Sequence, residues 1–182
     1  MKRALFVLSS AVRRVYGLGC VGWMSHPISR SSRKLQKSDI VMENRLWWLR
    51  DYVSSTGKRE VRKDYERLSE EVQAAFDTHW EYLCVRPRSE WIRPKASKLR
   101  PEHKGAPRDF FEFRFFSDKR QQRPLGHFGP QADEFTLLMW AFEKGSVFQP
   151  VDALKTCERR LRALSEGNGW AEPWCEDEVR GK

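Results

Sequence analysis

The chain has 182 residues and a net charge of +9, from 34 Lys and Arg against 25 Asp and Glu. That length suffices for one domain with a real core, and eight Trp and eleven Phe supply apolar area for it. No stretch approaches the roughly 20 apolar residues of a membrane-spanning helix, so no membrane role is expected. Cys20, Cys84, Cys157 and Cys175 lie far apart, with no CxxC pair and no His at zinc spacing. This argues against a zinc site and a disulfide scaffold and suits a reducing cytoplasm, and no metal or cofactor is expected.

The charge is unevenly spread. Residues 1–38 carry +8 with no acid, 39–85 carry −3, 86–123 carry +7 and 124–182 carry −3. Within the folded part, one 38-residue segment therefore lays a positive patch on a slightly acidic body, an electrostatic footprint for a polyanion.

Residues 1–41 read as a basic extension outside the domain, disordered or loosely helical. MKRALFVLSSAVRR and the later SRSSRK fit a start assigned upstream of Met24 or Met42, or an Arg- and Ser-rich targeting segment. The domain is expected over 42–165. Leu46 to Tyr52 reads as a first strand. Lys58 to Arg67 follows with Val61, Tyr65 and Leu68 at helical spacing, and Ser69 before Glu70 and Glu71 looks like an N-cap. Val72, Phe76, Trp80 and Leu83 then form the stripe of a second helix, completing an α-hairpin. His79 on that helix is read as packing or surface rather than catalysis.

Val85 to Asp109 is rich in Pro and bases, and proline excludes a regular helix, so a loop pinned by Trp91, Ile92 and Leu99 is expected. Its bases Arg93, Lys95, Lys98, Arg100 and Lys104 are candidates for a binding surface. Next, Phe111, Phe113 and Phe115 alternate with Glu112, Arg114 and Phe116, the period of a strand. SDKRQQ reads as a turn, RPLGHFG (Arg123 to Gly129) as a second strand, GPQAD as a turn, and Phe135 to Phe142 as a strand apolar on both faces. The result is a three-strand meander. Pro150 opens a final helix with Val151, Leu154, Cys157, Leu161 and Leu164 as its stripe and Arg160 on its polar face. Residues 166–182 read as an acidic tail whose Trp170 and Trp174 suggest partial return to the body. The fold class is α+β: strand, α-hairpin, antiparallel three-to-four-stranded sheet and C-terminal helix.

No nucleotide-binding loop, GxSxG elbow or Cys–His pairing is present in the sequence. The remaining chemistry is Arg and Lys with aromatics on one sheet and the loop before it. Such a set can hold phosphates, stack bases and stabilise a phosphorane-like transition state. RNA cleavage needs no metal, because the substrate 2′-OH can attack the adjacent phosphate. The plain alternative for Arg114 and Arg123 is cross-strand ion pairing with Glu112 and Asp118.

The ordered set resembles the RelE/ParE toxin superfamily, in particular its HigB-like, phage-related branch. The resemblance rests on WIRPKASKL, on FFEFRFF against that branch's L-W-E-L-R strand, on Arg123 entering the next strand, and on LLMWAFEKGSVFQPVDALKTCERRL. It covers residues 44–165 and implies a RelE-like, microbial RNase-like fold. It also implies a type II toxin that cleaves mRNA, often on the ribosome, neutralised by a cognate helix-turn-helix antitoxin. Carried onto this chain, Arg114, Arg123 and Lys144 would act at the scissile phosphate, with Glu112 the general-base candidate. Lys95 and Lys98 would hold the RNA backbone, and Arg93, Arg100, Lys104 and His127 complete the expected RNA-binding set. The C-terminal Tyr or His that relatives use in proton transfer has no counterpart after Lys144. Two other readings stay open: a ParE-like gyrase-binding toxin, and a degenerate phage-derived protein that binds RNA.

Overall fold

The computed structural model describes residues 44–99 and 109–175. The expectations for residues 1–41, Arg100 and Lys104 therefore lie outside the described residues. β1 (Trp48–Ser54) leads into α1 (Glu60–Glu66) and α2 (Glu70–Cys84). The α-hairpin follows its apolar spacing: Val61 and Tyr65 on α1 are buried, as are Val72, Phe76, Trp80 and Leu83 on α2. Ser69 has the extended backbone of an N-cap, but its hydroxyl makes no capping bond; its carbonyl instead accepts from the N–H groups of Val72 and Gln73.

A short 3₁₀ turn at Arg88–Glu90 and strand β2 (Ala96–Lys98) occupy the basic segment. Trp91 and Leu99 pin it as expected, while Ile92 is 63% exposed and pins nothing. β3 (Phe110–Phe113), β6 (Leu125–Phe128) and β7 (Glu134–Met139) form the antiparallel meander. The expected continuous strand through Phe116 is interrupted at Arg114. β4 (Phe115–Ser117) and β5 (Arg120–Gln122) form their own hairpin where SDKRQQ was read as a plain turn. Asp118 and Lys119 at its tip both have positive φ, 50° and 56°, the backbone of a two-residue turn matched to strand twist. A second such hairpin, unforeseen in the sequence, joins β8 (Phe142–Lys144) to β9 (Val147–Gln149) through Gly145 and Ser146.

The expected sheet of three or four antiparallel strands is thus corrected to two sheets. One has six strands, in the order β10 (Gly169–Pro173), β1, β7, β6, β3, β2, with β1 and β7 parallel; the other has four, β4-β5-β8-β9. β10 (Gly169–Pro173) lies in what was read as the tail and pairs with β1. The domain therefore extends past 165: Trp174 is buried against Tyr65 and Phe76, while Trp170 stays exposed. Arg59 donates to the Pro173 carbonyl at 2.7 Å and to buried Asp51 at 3.0 Å, and Arg62 donates to the Trp174 carbonyl at 3.3 Å.

α1 and α2 cover one face of the six-stranded sheet. Their layer is aromatic: Phe113 lies 6.0 Å from Phe76, 6.1 Å from Trp80 and 5.2 Å from Phe135 between ring centroids. α3 (Ala153–Ser165) covers the other face, packing on Tyr52, Phe110, Leu125 and Leu138. It begins three residues after Pro150, leaving Val151 exposed rather than in the stripe. Arg160, read as surface, is buried and donates to the Leu138 carbonyl while pairing with Glu60. Every residue of β7 is buried, as its two apolar faces require. Among the described residues no helix is long and apolar enough to cross a membrane.

Gly126 on β6 allows close strand contact at the register shift with β7. A Cβ there would lie 2.4 Å from the Thr136 carbonyl and 2.7 Å from the Phe135 ring. Gly126→Ala is expected to cost about 1–3 kcal/mol through overpacking, read as a lower urea midpoint with unchanged slope.

Candidate nucleic-acid interface

Glu112 is inside β3, Arg114 at the break between β3 and β4, and Arg123 in the step from β5 to β6. The alternation that places Glu112 and Arg114 on one side does bring the three together. They form a charge network rather than an open site. The Arg123 side chain is only 2% exposed. One Nη donates to Glu143 Oε2 at 2.5 Å, and the other donates to Gln121 Oε1 and to the Gln122 carbonyl, each at 3.1 Å. Its Nε lies 3.4 Å from Glu112 Oε2, while Arg114 bonds Glu112 Oε1. Burial, then the Arg114 charge, pulls the Arg123 pKa below its usual value, with Glu112 and Glu143 opposing.

In this arrangement Arg123 is enclosed, and both oxygens of Glu112 lie against guanidinium groups, the Arg123 Nε making no hydrogen bond of its own. The pairing alternative holds, though Glu143 rather than Asp118 is the second partner. Arg114 keeps a 23% exposed side chain at the surface.

That surface is the wall of a groove of about 690 Å³ between α2, the turn at 92–95 and the start of β4. Thr78, His79 and Tyr82 line it from the helix, Lys95 from the turn, and Arg114, Phe116 and Gln121 from the strands. One carbonyl organises it. The Lys95 C=O accepts from His79 Nε2 at 2.7 Å and from the Arg114 N–H at 2.8 Å, tying helix, turn and strand break together. Burial lowers the His79 pKa to about 4, the Lys95 carbonyl opposing this, so the imidazole is neutral at pH 7 and serves as a positioning donor. Lys95 Nζ lies 5.5 Å and the Arg86 guanidinium 3.5 Å from the Tyr82 ring centroid.

A second hollow of about 460 Å³ adjoins the groove on the small sheet, lined by Phe116, Lys119, Arg120, Gln121, Phe142, Glu143 and Lys144. Lys144 is therefore not gathered into the Glu112 network but stands exposed at this second hollow. Arg93 is exposed on the turn that carries Lys95. Lys98 is outside the groove, where it shares Asp109 with Arg88 at 2.6 and 2.8 Å; the Lys98 hydrogen bond is the main cause holding the Asp109 carboxyl below its usual value. His127 also lies apart from the groove. It lines a separate hollow with Pro130 and the α3 residues Leu161 and Arg162, and burial lowers its pKa. Tyr82, Phe116, Lys119, Arg120 and Phe142 were not singled out from sequence, although Phe116 falls on the same side of the alternation as Arg114 and both bases are in SDKRQQ.

No known protein family, curated protein or solved structure matches this chain.

Removing Arg123 leaves Glu143 without its partner and Glu112 with Arg114 alone. Arg123→Met is expected to cost about 3–5 kcal/mol in urea unfolding; a loss under about 1 kcal/mol would show that the network behaves as a solvated surface pair. His79 gives a pH signature. Its folded pKa lies below the ordinary 6.5, so its contribution is complete above pH 6.5 and is lost as pH falls towards 4. Melting curves of His79→Gln should show a shallower decline than the parent between pH 6.5 and 4.

Proposed function

We propose that this chain is an RNA-binding protein of RelE/HigB-like, phage-related architecture, and that binding rather than cleavage is the activity its geometry favours. The observation that carries this is the surface made by the two adjoining hollows. Lys95, Arg114, Lys119, Arg120 and Lys144 line it with Tyr82, Phe116 and Phe142, against one acid, Glu143, which is committed to Arg123. Among the described residues Lys95, Lys119, Arg120 and Lys144 form no ion pair, so their charge is available to phosphates. Basic side chains interleaved with aromatic rings are the means by which proteins hold single strands.

The RelE-like frame is supported by the order of elements: strand, α-hairpin, basic segment, meander and terminal helix, with the first strand beside the last strand of the meander. Against cleavage stand the burial of Arg123, the double pairing of Glu112 and the neutral, buried state of His79. One observation favours the second reading, an mRNA-cleaving toxin covered by a helix-turn-helix antitoxin: Arg114 presents a partly exposed guanidinium in the groove beside Lys95. Both readings call for work in the cytoplasm, on mRNA or the ribosome.

Fluorescence anisotropy of the full chain with a labelled single-stranded RNA tests the proposal. Binding should weaken with salt, and Lys95→Ala should lower the slope of log K against log salt by about 0.7, one phosphate contact. An affinity that ignores salt would overturn it. Induction in a bacterial host, with mapping of mRNA 5′ ends, separates the two readings. New internal 5′-OH ends abolished by Arg114→Ala would put the toxin first, while arrest with intact mRNA and damaged DNA would point to gyrase.

A further inference from the structure

Phe116 is 64% exposed, on a strand whose chain neighbours Phe115 and Ser117 are half-buried and buried. Its place is fixed. β4 pairs with β5 in the register Phe116 opposite Gln121, and the two-residue turn at Asp118 and Lys119 closes the hairpin. Phe116 and Gln121 are also the two residues that line both hollows, so this cross-strand pair is the partition between them. Each side has its own cations: Lys95 and Arg114 on one, Lys119, Arg120 and Lys144 on the other. The second side has an aromatic floor as well, Phe142, with the Arg120 guanidinium 5.0 Å from its ring centroid.

An exposed ring on a paired strand, between two cation-lined hollows, has the form of a wedge. We propose that Phe116 parts two consecutive nucleotides of an unpaired RNA strand, one base entering the groove beside Tyr82 and Lys95, the next entering the hollow over Phe142. This rests on the RNA-binding reading above and adds to it a second nucleotide subsite and a selection rule. A duplex presents its bases stacked and paired, so the wedge has nothing to enter, and single strands are preferred. The aromatic faces tolerate any base, while the cations on each side neutralise the flanking phosphates. An acidic protein segment would satisfy the cations but leave the ring without a stacking partner, so the combination favours nucleic acid.

The test uses the full chain, a fluorescein-labelled eight-nucleotide single-stranded RNA and the same sequence as a duplex, with Phe116→Ala, Phe116→Tyr and Lys144→Ala. The ring is exposed, so circular dichroism should show the variants folded. The parent should bind the single strand more tightly than the duplex. Phe116→Ala should weaken single-strand binding at least about tenfold, Phe116→Tyr should restore it, and Lys144→Ala should reduce it with a shallower salt dependence. Equal binding by the parent and Phe116→Ala would overturn the wedge while leaving the RNA reading intact, and so would equal affinity for strand and duplex. Failure of the parent to bind either RNA would overturn both. Binding of polyglutamate with the same dependence on Phe116 would replace the wedge by a protein-docking ridge.

Discussion

A guanidinium enclosed between two sheets governs this structure. Arg123 stands where the chain passes from the small sheet to the large one, and its partners come from both: Glu112 from β3, Glu143 from β8 and Gln121 from β5. A charge taken from water in this way requires its partners in place, because the desolvation cost is recovered only with good geometry and further hydrogen bonds. The orientation of the small sheet on the large one is therefore tied to an electrostatic requirement as well as to packing. Arg114 shares Glu112, so the groove wall inherits its position from the same network.

The groove is rigid for a related reason. A single carbonyl, that of Lys95, receives hydrogen bonds from α2 and from the break between β3 and β4, and so the one turn that displays Lys95 is anchored to two separate elements. Trp91, buried among Phe111, Phe113 and Phe135, anchors the same segment from below. A backbone anchored in this way presents the Lys95 side chain from a fixed point, so little backbone freedom is left to lose when it meets a polyanion.

The parts of this architecture visible in the sequence are those with a strong period. Val72, Phe76, Trp80 and Leu83 repeat at helical spacing and give α2; Phe135 to Met139, apolar on both faces, mark the strand that is covered twice. The hairpin at SDKRQQ was hidden because its strands are three residues long and largely polar, with a turn carried by Asp and Lys rather than Asn-Gly. β10 was hidden because Gly169 to Pro173 alternates too briefly among acids and ends in a proline tolerated at a sheet edge. The site was half legible for a different reason. That Arg114, Glu112 and Arg123 come together could be inferred from strand alternation. Which of them is solvated could not, since that depends on Glu143, twenty residues from Arg123, and on a second sheet that the period does not announce.

The pairing of β1 also constrains how the chain is made. The domain's first strand lies between β7 and β10, with Trp48 opposite Glu134 and Ser54 opposite Gly169. During synthesis β1 emerges early and must wait for β7, and longer still for β10, before its two neighbours exist. Tyr65 and Phe76 likewise wait for Trp174 to cover them. Contacts of this sequence separation close slowly, and an unpaired apolar strand invites pairing with other chains. Nascent chains released short of Trp174 are thus a natural clientele for chaperones, and vectorial folding from the N-terminus gives this protein little protection.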